Sequence, residues 1–94
     1  MPYKVFHHKL FEREVLKIPA HHQSRIHKIV SKLKEDPNKL PSNTEPLSGY
    51  KGCFRTRIGS LRLIYFVNHE KEEVLILGIR PRGDIYKVIR RLLS

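Results

Sequence analysis

The sequence predicts an α+β fold: a four-stranded antiparallel sheet with an N-terminal helical hairpin and a short C-terminal helix, in the order β-α-α-β-β-β-α. Three observations carry this. Apolar residues recur at helical spacing over residues 8–36, and apolar runs rich in β-branched and aromatic residues fill 53–80. A stretch rich in proline and glycine, 37–52, separates the two halves. With 94 residues, 39% of them apolar and 30% charged, the chain suits one globular domain over 1–94.

Taken in order, "YKVFH" (3–7) alternates as a short strand does. "HKLFEREVLKI" (8–18) sets Phe11, Val15 and Ile18 at helical spacing, with Leu10 and Leu16 beside them, until Pro19 interrupts. "HHQSRIHKIVSKLKED" (21–36) places Ile26, Ile29, Val30 and Leu33 on one stripe and ends before Pro37, because the residue before a proline avoids the helical region. Residues 37–52 read as loop. Three apolar runs follow, 53–58, 61–68 and 74–80, with Gly59-Ser60 as a two-residue hairpin turn. "DIYKVIRRLLS" (84–94) predicts the last helix, with Asp84 as N-cap and Ile85, Val88, Ile89 and Leu92 as its apolar side.

Lys plus Arg number 19 against 9 Asp plus Glu, a formal charge of +10. Such a domain attracts polyanions. No helix has the broad apolar face of a membrane-surface binder, and no run approaches the roughly 18 apolar residues that span a bilayer. Residues 1–18 are too charged for a secretory leader. A single cysteine, Cys53, makes no internal disulfide and fits a reducing cytoplasm.

Arginines interrupt the best strands. Arg55 and Arg57 share a face because side chains alternate. If Gly59-Ser60 is the turn, Arg57 stands opposite Arg62 on that same face. A three-residue connection at 70–72 would set Arg62 opposite Arg80; a two-residue one would send Arg80 to the other side. Opposed like charges destabilise a sheet, so the cluster is either solvated or built for an anion. Guanidinium groups suit bidentate contact with phosphate.

In their order and spacing, these residues resemble the RelE/ParE toxin superfamily, and in particular its RelE-like mRNA interferases of archaeal type. The resemblance covers nearly the whole chain: "KIP" between the helices, "DP" after the second, "PLSGYKGCFRTRIGSLRLIYFV", and "IRPRGDIYK", with an arginine followed by a tyrosine six residues on. It implies a type II toxin whose catalytic positions fall on Arg57, Arg62, Arg80 and Tyr86, with Arg55 holding substrate backbone. It implies metal-independent cleavage of mRNA in the ribosomal A site by attack of the ribose 2′-OH on the adjacent phosphate, with no cofactor. The implied partners are the ribosome with its mRNA and rRNA, and an acidic RelB-like antitoxin in a heterodimer or heterotetramer. The segment holding Tyr86 is mobile in such toxins and touched by the antitoxin.

Well-known bacterial members carry lysines where this chain has Arg55 and Arg57. Arginine stays protonated, so Arg57 is a poor general base. Arg82 is expected to add a phosphate or rRNA contact. Arg25, Lys28 and Lys32 on the second helix either track rRNA or form an ordinary wet face. The alternatives are a ParE-like toxin that binds DNA gyrase without nuclease activity, and a catalytically weak member that binds RNA or antitoxin. The six histidines offer no metal site, since none is spaced with a carboxylate or thiol as zinc requires.

Overall fold

The computed structural model describes residues 3–81, 87 and 89–91. Strand β1 (Lys4–His7) leads into helices α1 (Lys9–Val15) and α2 (Ala20–Glu35). Strands β2 (Thr44–Pro46), β3 (Cys53–Ile58), β4 (Leu61–Asn68) and β5 (Glu73–Pro81) follow. Helix α1 begins where His8 Nδ1 accepts the Leu10 N–H at 3.1 Å. At its far end the Gln23 side-chain amide donates to the Val15 and Ile18 carbonyls, each at 2.9 Å, satisfying acceptors that a helix end leaves open. Helix α2 ends at Asp36, just before the buried Pro37.

The sheet is five-stranded and mixed, in the order β1-β5-β4-β3-β2, which corrects the expected four-stranded antiparallel sheet. Two strands account for the difference. β1 lies parallel to β5, from Lys4 opposite Glu73 to His7 opposite Ile76. The helical hairpin intervenes between β1 and the rest of the sheet, so β1 is free to fill the edge left by the last strand rather than pair with its successor. β2 forms inside the proline-rich stretch predicted as loop and pairs antiparallel with β3. It is three residues long and ends in Pro46, and proline is tolerated on an edge because one side of the strand needs no donor.

Both helices cover one face of the sheet. There Phe11, Ile26 and Leu33 meet Ile58, Leu63, Tyr65, Val67, Val74, Ile76 and Ile79. Tyr65 is fully buried, and its hydroxyl accepts from Thr56 Oγ1 at 3.4 Å. Thr56 Oγ1 also meets Thr44 Oγ1 at 2.7 Å, so a chain of hydroxyls ties β2, β3 and β4 together. The opposite face carries a smaller cluster of Leu47, Cys53, Ile64, Leu77 and Ile89. Of the predicted C-terminal helix, Lys87 and residues 89–91 are described; they have helical backbone, and Ile89 is buried. Among the described residues no helix is long and apolar enough to cross a membrane.

Candidate functional site

The β3–β4 hairpin closes through Gly59-Ser60, with Ile58 opposite Leu61 and Arg57 opposite Arg62. Gly59 has φ +60°, the sign that a Gly-first two-residue turn requires. On the other side of β4, Arg62 stands opposite Arg80. The connection that achieves this differs from the expected one. Asn68 pairs with Glu73, not Val74, so the ladder starts one residue out of step. A bulge takes up the difference: Tyr65 pairs with Ile76 and Ile64 with Gly78, leaving Leu77 without a partner. An extra residue in one strand restores parity beyond it, and Arg80 arrives level with Arg62.

Arg57, Arg62 and Arg80 therefore form a row across three neighbouring strands, and Arg55 lies on the same side of β3. This is the face opposite the one that holds Ile58, Leu63 and Ile79, and α1 borders it at the β5 edge. Arg57 is exposed, while Arg55, Arg62 and Arg80 are half-buried. Arg62 Nη1 donates to the Leu61 carbonyl at 3.1 Å.

Two carboxylates that sequence reasoning did not place belong to this cluster. Glu45, opposite Arg55 on β2, accepts from Arg55 Nη2 at 2.7 Å. The hydrogen bond and charge of Arg55 hold the Glu45 carboxyl below its ordinary value, and the charges of Arg57 and Arg62 add to this. One exposed carboxylate thus feels three of the four guanidiniums. Glu14, on α1, forms an ion pair with Arg80, its Oε2 lying 2.5 Å from Nε.

The remaining predicted residues lie elsewhere. Arg25, Lys28 and Lys32 are exposed on α2, in the layer on the other side of the sheet, so the structure does not join them to the arginine row. Arg82 and Tyr86 lie outside the described residues. Cys53 is buried beneath the same face as the row, and burial pushes its thiol up, as for a packed side chain rather than a nucleophile. His69 Nδ1 is 2.7 Å from the Tyr3 hydroxyl, beside the β4–β5 connection at the opposite end of β4 from Arg62. Among the described residues no three His, Cys, Asp or Glu side chains gather as metal ligands would.

The fold and its row of arginines can be set beside known proteins. The chain is similar to one in the archaeal RelE–RelB complex of Pyrococcus horikoshii OT3, with 29% identity, 88% of this chain and 98% of that chain covered, and a TM-score of 0.76. It is similar to a chain of the toxin–antitoxin complex RelBE2 from Mycobacterium tuberculosis, with 26% identity, 87% and 100% covered, and a TM-score of 0.68. A mutant of the E. coli toxin RelE in the free state shares the fold over the full length of both chains, with a TM-score of 0.82 at 20% identity. Among curated proteins none matches. The family model described as the ParE toxin of type II toxin–antitoxin system, parDE, matches residues 5–86. The chain belongs to that family of type II toxins, within the RelE/ParE superfamily.

Proposed function

We propose that this toxin is a ribosome-dependent endoribonuclease that cuts mRNA in the A site and so stops translation. The observation that carries the reading is the row of Arg57, Arg62 and Arg80 across three strands, with Arg55 beside it. A phosphodiester at the row meets donors on several sides. In the reaction the 2′-oxygen bonds to phosphorus, the bond to the 5′-oxygen breaks, the 2′-OH proton leaves and the 5′-oxygen takes one up. The products are a 2′,3′-cyclic phosphate and a 5′-OH end. Arg62 and Arg80 stabilise the charge growing on the phosphate, the contribution that is commonly largest in such reactions. Arg57 orients the 2′-OH and favours its ionisation by charge. Arg55, shared with Glu45, holds neighbouring backbone. Tyr86 stacks on a base or orients the nucleophile, and Arg82 adds a phosphate contact.

The partner in this reading is an acidic RelB-like antitoxin that folds on the basic surface in the cytoplasm, in a heterodimer or heterotetramer. The solved RelE–RelB complexes from P. horikoshii and Methanococcus jannaschii support it. A second reading, gyrase poisoning without nuclease activity, is favoured by the matching family model, which is that of ParE toxins. Pulse labelling after induction of the toxin separates the two. The ribonuclease reading expects amino-acid incorporation to fall first, with plasmid DNA still supercoiled. Relaxed plasmid with translation intact at early times would favour gyrase and remove the nuclease.

A further inference from the structure

Glu14 has no part in the site as drawn from sequence, yet its carboxylate is set at the junction of the site and the sheet edge. β1 ends at His7, whose partner on β5 is Ile76, and the His8 N–H closes the edge onto the Ile76 carbonyl at 2.9 Å. Beyond that point α1 replaces the strand. Glu14 Oε1 accepts the Ile79 N–H at 3.0 Å, a ladder donor that β1 no longer reaches. Its other oxygen, Oε2, lies 2.5 Å from Arg80 Nε, an ion pair without hydrogen-bond geometry. The Glu14 side chain is only 17% exposed and that of Arg80 31%. Gly78 leaves room for this approach: a Cβ there would come within 2.9 Å of Glu14 Oε1.

We propose that Glu14 is a positioning residue for Arg80: anchored on the Ile79 N–H, its carboxylate restrains the guanidinium by charge pairing on the Nε side and leaves the Nη1 and Nη2 donors for a phosphate at the arginine row. The chemistry favours this division. A guanidinium offers donors in a rigid fork, so fixing one nitrogen fixes the plane of the others. A single rotamer held by a partly buried partner loses less freedom when an anion arrives. The inference rests on the reading of the row as a phosphate site.

The test titrates inorganic pyrophosphate into ¹⁵N-labelled wild type, Glu14→Gln, Arg80→Ala and the double variant, following amide and arginine Nε–H resonances. Glu14→Gln keeps an oxygen for the Ile79 N–H but loses the charge facing Arg80. The expected result is a melting temperature close to wild type, a shifted Arg80 Nε–H resonance as the facing charge is lost, and affinity weakened by roughly tenfold, the lower end of what losing a supporting partner does at metal sites. In the Arg80→Ala background the same change should weaken binding no further. Unchanged or tighter binding by Glu14→Gln would overturn the proposal, as would an equal loss with and without Arg80. Equal affinity of wild type and Arg80→Ala would overturn the phosphate site, and the positioning role with it. If Arg80→Ala binds less tightly but Glu14→Gln matches wild type, the site stands and only the role of Glu14 falls.

Discussion

Arg62 is flanked on both sides by a guanidinium directly across the ladder. Each such like-charge pair costs a sheet about 0.2–1 kcal/mol. Removing the middle member should therefore stabilise the fold while disabling the site. Arg62→Gln relieves both pairs and is expected to raise the unfolding free energy by about 0.4–2 kcal/mol in urea titrations. It should also lower mRNA cleavage by roughly 10²–10³-fold, as loss of one charge-stabilising donor does. Destabilisation together with full activity would contradict both halves. Arg55, Arg57 and Arg62 were legible as one patch because strand parity and a two-residue turn fix which residues face each other, whereas the place of Arg80 depends on a bulge that the sequence leaves open. Glu14 carries a sequence signal of its own: it lies on α1 among Leu10, Phe11, Val15 and Ile18, on the stripe that should be apolar. A carboxylate at such a position needs a buried partner, and Arg80 is that partner.

The strands differ in how far pattern alone could place them. β3 and β4 run from 53 to 58 and from 61 to 68, as predicted, because apolar runs bounded by a glycine turn leave little freedom. β2 has no sequence signal because three residues ending in proline give no periodicity; its pairing is fixed instead by Thr44 and Glu45 meeting Thr56 and Arg55. The parallel placement of β1 is a tertiary choice that local pattern does not encode. The bulge at Leu77 is likewise invisible in an unbroken apolar run. Thr56 is where the elements are tied: its buried hydroxyl links β2 to Tyr65 on β4. Thr56→Val keeps shape but leaves the Tyr65 hydroxyl without this partner, at a cost of about 1–3 kcal/mol. Chemical denaturation measures it, and a neutral or stabilising effect would show that the hydroxyl chain contributes nothing.

For the whole molecule, charge and burial act in different pH ranges. Cys53 and Tyr65 are both buried, and burial pushes the thiol above its ordinary 9.0 and the phenol above its ordinary 10.0. The folded state therefore holds both protons more tightly than the unfolded chain. Their stabilisation is fully present below pH 9.0 and is lost as pH rises from there through the folded values. Unfolding midpoints in urea should fall as pH rises above about 9, and Cys53→Ala should flatten the early part of that fall. Identical slopes for the two proteins would remove the thiol from the account.

A formal charge of +10 gathers polyanions over the whole surface, whereas the arginine row gives one phosphate a defined seat. Cleavage of an mRNA held on programmed ribosomes, with the RNA ends mapped, distinguishes the two most directly. Wild type should cut in the A site and leave a 2′,3′-cyclic phosphate, and Arg80→Ala should lose roughly 10²–10³-fold in rate. Intact mRNA on translating ribosomes, or equal cutting by the Arg80→Ala variant, would contradict the account.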